Sequence, residues 1–220
     1  MITAIVVAAG LSRRMGRPKP LLPWGRRTVI ECIVATLAAS PVDDILVITG
    51  HEHEAVARRL AGGPARAVFN PAYAAGEMLS SLQAGLRAAP AQASAALLAL
   101  GDQPFLEAAL VEQLVAAYAG GRAQIVAPSY QRRRGHPLLI GRAYWDAILA
   151  LADGQTLRGL LRQAGDSIAY VETSNPAVLH DMDTPDEYRR RLEDHFRLAA
   201  RDAPADTDVE PAPASELAPY

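Results

Sequence analysis

The sequence predicts an α/β fold: a Rossmann-like, three-layer structure in which a mostly parallel sheet carries helices on both faces. Three observations lead there. Apolar runs recur at Ile2–Ala9, which is rich in β-branched residues, at Asp44–Gly50 and at Ala95–Leu100, and none alternates with polar residues as a half-wet strand would. Stretches with helical spacing separate these runs, giving βαβα order. A chain of 220 residues, 50% of them hydrophobic, has the apolar mass for one large core.

The elements follow in order. After the first strand, Val29, Ile30, Ile33 and Leu37 share one helical face, and the helix stops near Ser40-Pro41. The second strand is followed by a short helix over Glu52–Leu60 and a short strand at Ala67-Val68-Phe69. Met78, Leu82 and Leu86 mark the next helix. The third long strand runs into Gly101-Asp102-Gln103-Pro104, and Leu110, Val111, Leu114 and Tyr118 mark the helix behind it. From about residue 122 the rhythm changes. Gln124–Ala127 reads as a strand and Ser129–Ile140 as an extended hairpin or loop around Arg132-Arg133-Arg134-Gly135. Tyr144–Leu151 and Leu157–Leu161 read as short helices, and Ile168–Val171 as a strand. Thr184, Pro185 and Glu187 form a capping box for a last helix whose apolar face is Tyr188, Leu192 and Phe196. One domain over residues 1–200 is expected. Residues 201–220 are mainly Ala, Pro and acidic, with little apolar mass, and are expected to be a disordered tail.

Bulk properties exclude several classes. A formal net charge of −2 argues against a general nucleic-acid or membrane-surface binder. Cys32 is the only cysteine, so disulfides and cysteine-based metal clusters are excluded; its place on an apolar helical pattern suggests core. No basic region precedes the first apolar run, and no run reaches bilayer length. A soluble, cytoplasmic, monomeric protein is the expectation.

Lys19 is the one lysine among 22 Lys and Arg residues. It closes the stretch Ala8-Ala9-Gly10-Leu11-Ser12-Arg13-Arg14-Met15-Gly16-Arg17-Pro18-Lys19, directly after the first strand. A Gly-rich turn ending in a compact ammonium suits a phosphate, where a flat Arg fork is a poorer fit. Two familiar phosphate loops are set aside. A Walker A loop needs Gly-Lys-Ser/Thr, whereas Lys19 stands three residues after Gly16 and precedes Pro20. A G-x-G-x-x-G turn opens a helix, and Pro18, Pro20 and Pro23 oppose one here, so an extended loop is expected. Ligands of open parallel sheets bind beyond the carboxyl ends of the strands. There the sequence places the Gly10–Lys19 loop, Asp102, and the pair Asp181 and Asp183 ahead of the last helix.

The pattern A-A-G-x-S-x-R-M-G-x-x-K-x-L-L-P resembles the signature of nucleotidyltransferases related to molybdopterin guanylyltransferase and molybdenum cofactor cytidylyltransferase. The resemblance continues in order over roughly residues 2–197, through Leu22-Pro23-Trp24, Asn70-Pro71-Ala72-Tyr73, Ser80-Ser81-Leu82, Gly101-Asp102-Gln103-Pro104, Gly135-His136-Pro137 and Asp181-Met182-Asp183-Thr184-Pro185. Ala-Ala-Gly in the loop, with the Gly-His-Pro and Asp-x-Asp-Thr-Pro elements, fits the cytidylyl branch best. The spacing between Gly76 and Ser80-Ser81 is one residue longer than in many members of that branch.

The resemblance implies the fold of nucleotide-diphospho-sugar transferases, with residues 1–121 as the nucleotide-binding half and 122–200 as the acceptor-binding half. It implies transfer of CMP from CTP to the phosphate of molybdenum-carrying molybdopterin, with release of pyrophosphate and with Mg²⁺ as cofactor. Lys19, Arg14 and Asp102 would be catalytic. Ala9, Gly10, Leu11, Ser12, Arg13 and Gly16 would cradle the phosphates; the amides from Leu11 to Gly16 can form an anion nest. Asn70, Ser80 and Ser81 would lie near the base or ribose, or else brace a turn and cap a helix. Gly135 and His136, with Arg132–Arg134, would meet the acceptor phosphate. Asp102 with Asp183 or Asp181 would hold the metal, since Mg²⁺ takes one or two carboxylates plus phosphates and water. A molybdoenzyme or its maturation chaperone would be the partner. Other readings are a sibling enzyme using GTP or another phosphorylated acceptor, a cofactor-binding chaperone without transfer, and an oxidoreductase, which the missing G-x-G-x-x-G opposes.

Overall fold

The structure, a computed structural model, describes residues 1–74, 78–121, 123–152 and 154–202. The lengthened spacing at Gly76-Glu77 and the tail beyond residue 202 lie outside the described residues. In chain order the strands are β1 (Ile2–Ala8), β2 (Pro23–Trp24), β3 (Arg27–Thr28), β4 (Asp44–Thr49), β5 (Ala65–Phe69), β6 (Ala95–Leu100), β7 (Ile125–Tyr130), β8 (Arg133–Arg134), β9 (Leu138–Gly141) and β10 (Ile168–Glu172). The helices are α1 (Val29–Ala38), α2 (His53–Leu60), α3 (Met78–Ala88), α4 (Ala108–Ala119), α5 (Trp145–Leu149), α6 (Leu157–Ala164) and α7 (Pro185–Asp202).

Among the described residues an eight-stranded sheet runs β10-β7-β9-β6-β1-β4-β5, with β8 paired to β7 off that path. β6, β1, β4 and β5 are mutually parallel, and β7 and β10 are parallel to each other. Only β9 runs against both of its neighbours in the path. The fold is therefore the mixed, mostly parallel α/β sheet expected. Period-two alternation divides the buried strand residues between two cores. Ala4 and Val6 of β1, Ile45 and Val47 of β4, and Leu97 of β6 pack with Ile33 and Leu37 of α1 and Leu110 and Leu114 of α4. Ile5, Leu46, Ile48 and Leu98 point the other way, onto Leu82 and Leu86 of α3, Trp145 of α5 and Leu161 of α6.

Three local features position the edge where the parallel strands end. Opposite Ala127 and Pro128 of β7 stand four residues, Gly135–Leu138, so a bulge interrupts the returning strand between β8 and β9. The bulge lies against Val178: the His136 amide donates to its carbonyl at 3.0 Å, and a Cβ on Gly135 would lie 2.4 Å from that oxygen. The β2–β3 hairpin, which the pattern of the sequence does not reveal, seats α7. The buried Trp24 meets the rings of Phe105, Tyr188, His195 and Phe196, with centroids 5.3 to 6.4 Å away, and the Tyr188 hydroxyl donates to the Pro23 carbonyl. The capping box of α7 forms as expected: Glu187 Oε2 accepts from the amides of Asp183 and Thr184, each at 2.9 Å, and the Glu187 amide donates to Thr184 Oγ1. Among the described residues no helix is long and apolar enough to cross a membrane.

Gly85 of α3 lies directly over β1, where an added Cβ would fall 2.5 Å from Ile5 Cγ2. Alanine gains about 1 kcal/mol of helix propensity over glycine, but overpacking a filled core costs about 1–3 kcal/mol. Gly85→Ala is expected to lower the urea midpoint with the m-value unchanged; a raised midpoint would show that Ile5 yields at no cost.

Candidate active site

A cavity of about 570 Å³ opens at the carboxyl ends of the parallel strands, within the range of small-molecule sites. Its floor and walls come from four places: Val7–Arg14 with Lys19 and Pro20, Leu100–Asp102, the Tyr73–Ala74, Met78 and Ser81 stretch, and Asp181 with Asp183. The first two are neighbours because β1 and β6 pair in parallel, Val7 beside Leu100.

The loop after β1 is more folded than expected. Ser12 has φ +49°, and its carbonyl accepts from the amides of Met15 and Gly16, both at 3.0 Å. Gly16, at φ +71°, completes the turn in a backbone region that favours glycine. Lys19–Leu21 then forms one 3₁₀ turn. The prolines forbid a long helix but not a single turn, because Pro20 sits where no amide donor is needed. The Lys19 amide donates to Ser12 Oγ at 3.1 Å, which ties the lysine back to the turn.

The ammonium of Lys19 bridges two carboxylates. Nζ donates to Asp102 Oδ2 at 2.8 Å and to Asp183 Oδ1 at 2.6 Å. Arg14 Nη2 donates to the other oxygen of Asp183 at 2.6 Å. Asp181 is placed differently: its Oδ1 accepts from Gln103 Nε2 at 3.3 Å, and the same amide donates to the His180 carbonyl at 2.8 Å. The sequence of the MobA-like NTP transferase domain matches residues 4–168. The chain belongs to that nucleotidyltransferase family.

Two relatives and two solved structures each match 85% or more of this chain. Nicotine blue oxidoreductase of Paenarthrobacter nicotinovorans is 32% identical over 198 residues, spanning 87% of this chain and 96% of that protein. Molybdenum cofactor cytidylyltransferase of Escherichia coli K12 is 29% identical over 188 residues, spanning 85% and 93%. A structure titled a nucleotidyl transferase, from Methanothermobacter, superposes with a TM-score of 0.77 at 30% identity over 90% of this chain and 99% of that one. Rv0371c of Mycobacterium tuberculosis H37Rv, solved as a manganese complex, gives a TM-score of 0.71 at 26% identity over 87% and 98%.

Of the residues expected at the site, Ala9, Gly10, Leu11, Ser12, Arg13, Arg14, Lys19, Ser81, Asp102, Asp181 and Asp183 line the cavity. Gly16, Asn70, Ser80, Gly135 and His136 are not among its lining residues, and His136 lines a small second pocket with Gln103, Phe105 and Val178. Asn70 is 3% exposed; its Nδ2 donates to Ser80 Oγ at 3.1 Å and Ser81 Oγ at 3.2 Å, and its Oδ1 accepts from the Ala72 amide. It therefore braces the first turn of α3. His51 lies 3.9 Å from Glu52, while His53 shares a 2.6 Å hydrogen bond with Thr49 Oγ1 and packs on Phe69. Gln103 is the cavity-edge position that residue typing misses. In the sequence it stands out only inside Gly-Asp-Gln-Pro, and its bond to Asp181 depends on the segment after β6 meeting the one before α7.

Burial and charge divide the cluster. Burial pulls the Lys19 pKa down, but Asp102 and Asp183 outweigh it and hold the ammonium above its ordinary value. Burial lifts the Asp102 carboxyl above its usual range, Lys19 opposing; Asp183, bonded to Lys19 and farther into solvent, is held below. One ammonium thus faces two carboxylates of different basicity, because Asp102 ends a buried strand and Asp183 does not.

Burial also drives the His136 imidazole down to about 4, with Asp102 opposing and Arg134 reinforcing, and its Nε2 is buried without a hydrogen-bond partner among the described residues. An unfolded histidine titrates near 6.5. Between that value and about 4 the unfolded chain binds the extra proton, so His136 erodes stability as pH falls through this window. Urea unfolding of His136→Gln should show a flatter loss of stability than the parent between these pH values; parallel profiles would count against the buried neutral imidazole.

Proposed function

We propose that this chain transfers a nucleoside monophosphate, CMP from CTP in the favoured form, to the terminal phosphate of molybdenum-carrying molybdopterin. The acceptor phosphate oxygen would attack the α-phosphorus, the bond to the β-phosphate oxygen would break, and pyrophosphate would leave. The observation that carries this reading is the convergence of Lys19, Asp102 and Asp183 at the end of a glycine-turn loop, in a cavity large enough for a nucleotide.

Phosphoryl transfer asks for positioning and charge stabilisation rather than a covalent protein group. The backbone from Gly10 to Arg14 would receive the phosphates, since the amides of Met15 and Gly16 are engaged by Ser12. Arg14, whose side chain is 70% exposed, can swing onto the triphosphate as it enters, and Lys19 would meet charge building on the leaving group. Asp102 Oδ2 and Asp183 Oδ1 already face one cation, so this donor set suits a hard divalent ion such as Mg²⁺, with phosphates and water completing its shell. Such an ion, when bound, would neutralise triphosphate charge and polarise the α-phosphate. Asp181, tethered by Gln103, stands outside that pair. Residues 1–121 would hold the donor and 122–200 the acceptor, with Gly135, His136 and Arg132–Arg134 on the acceptor side. A molybdoenzyme or its maturation chaperone would receive the product, in the cytoplasm.

The name of the Escherichia coli relative supports CTP and molybdopterin as substrates. A second reading, oxidoreductase, is favoured by the relative at 32% identity that is named for one. The paired carboxylates favour transfer, because hydride transfer to a nicotinamide needs no such cage.

The deciding assay mixes the purified chain with Mg²⁺, molybdopterin and each of the four nucleoside triphosphates, and follows pyrophosphate; NADPH with a flat dye acceptor forms the parallel arm. Release with CTP above the others is expected. Release with none, with NADPH consumed, would overturn the reading in favour of reduction. Lys19→Ala should lower turnover by about 10²-fold or more, the scale of one lost transition-state donor. Lys19→Arg should be poor as well, since a planar fork does not replace a point charge between two carboxylates. Asp102→Asn should weaken the Mg²⁺ dependence with the fold intact, and an unchanged Mg²⁺ titration would remove its assignment as a ligand.

A further inference from the structure

We propose that Lys19 is an internal counter-ion that keeps Asp102 and Asp183 closed to a lone divalent cation, so that metal is taken up only together with nucleotide phosphates. This rests on the nucleotidyltransferase reading and says how that site is regulated.

The geometry is that of a place already filled. A single nitrogen lies 2.8 Å from one carboxylate and 2.6 Å from the other, between the two groups that suit a metal. Both oxygens of Asp183 accept from a cation, one from Lys19 and one from Arg14. At this point two carboxylates face two cations; Asp181 also lines the cavity but is held by Gln103 outside the bridge, so the bridged pair itself offers little net negative charge to a dication from bulk solvent. The Lys19 and Asp102 side chains are only 16% and 18% exposed, so water screens the bridge poorly. An ammonium and a divalent ion repel each other strongly at such range and cannot share one pair of oxygens.

Incoming phosphates change the balance. Residues Gly10–Arg14 line the same cavity as Lys19, and phosphates held there present new acceptors to its ammonium and to Arg14. The Lys19 backbone stays pinned to Ser12 Oγ, while its four-carbon stem lets the charged end turn without moving the loop. Release of the carboxylates and arrival of phosphate oxygens then coincide, which completes a shell of the kind Mg²⁺ requires. Lysine suits this and arginine does not: a guanidinium forks onto one carboxylate rather than turning about a point between two. The one lysine of the chain falls where a turning point charge is needed.

Linkage makes the idea measurable without turnover, since nucleotide and metal must tighten each other's binding by the same factor. The probe is Mn²⁺, followed by electron paramagnetic resonance on the full chain, with and without a non-hydrolysable CTP analogue and with no acceptor present. The parent should bind Mn²⁺ weakly alone and about ten-fold or more tightly with the analogue, within the usual span of such couplings. Lys19→Met should bind Mn²⁺ alone about ten-fold or more tightly than the parent and should lose most of the gain from the analogue. Lys19→Gln, which keeps a donor but no charge, should behave like Lys19→Met, and it serves if the methionine variant folds poorly by circular dichroism. Equal Mn²⁺ affinity of the parent and both folded variants in the absence of nucleotide overturns the counter-ion role. If the analogue brings no Mn²⁺ to the parent at all while both variants still bind Mn²⁺ tightly, the transfer reading fails and the counter-ion role survives it.

Discussion

Both faces of the central strands are buried, and that constraint decides where polar chemistry can sit. Ala4, Ile5 and Val6 of β1 and Leu97 and Leu98 of β6 are all fully covered. Unpaired charges along such strands would cost far more than the fold's margin. Polar groups are therefore forced to the ends, and parallel pairing puts those ends on one edge. The loop after β1 and Asp102 after β6 are neighbours for that reason, although 83 residues separate Lys19 from Asp102.

The third contributor, Asp183, comes from 164 residues away and owes its place to aromatic packing. Trp24 lies under α7 with Tyr188, His195 and Phe196 around it, and Tyr188 reaches back to Pro23. The hairpin that carries Trp24 follows directly on the turn that carries Lys19. The loop is thus joined by packing to the start of α7, where Glu187 holds the Asp183 backbone. The bulge at Gly135 supports the same segment from the other side through Val178.

Much of this architecture can be read from the sequence, for unequal physical reasons. The expected span of β6 is reproduced residue for residue, and those of β1 and β4 differ by one residue at the end, because two-sided burial leaves an unbroken apolar run. The cap of α7 is equally plain, since Thr184, Pro185 and Glu187 act within one turn. The β2–β3 hairpin is not readable: each strand has two residues, and its stability comes from Trp24 meeting a helix more than 160 residues later. β8 and β9 are readable only as an extended hairpin or loop, because Arg132–Arg134 and Gly135 break the alternation; the hairpin is the form found, with a bulge between its two returning strands. The loop after β1 reads as extended because proline statistics concern long helices, whereas one 3₁₀ turn fits between Pro18 and Leu22. At the cavity, residue types locate the carboxylates and the lysine. They cannot say that these groups bond to one another, which depends on distances between three remote segments.

That mutual bonding carries a cost that explains its form. Desolvating charges is unfavourable, and buried ion pairs often do no better than break even for stability. Here the cost is limited because Asp183 and Arg14 remain partly or largely in water, while Lys19 and Asp102 are drier. The arrangement makes sense as charge stored for a ligand. Under the transfer reading, a triphosphate arriving in this cavity would meet in Lys19 an ammonium already largely out of water, so less water would have to reorganise at the reacting phosphorus. The raised basicity of Asp102 belongs to the same economy. A carboxylate at the end of a buried strand is poorly satisfied by one ammonium, and under the transfer reading it would gain most when a cation of higher charge took that place.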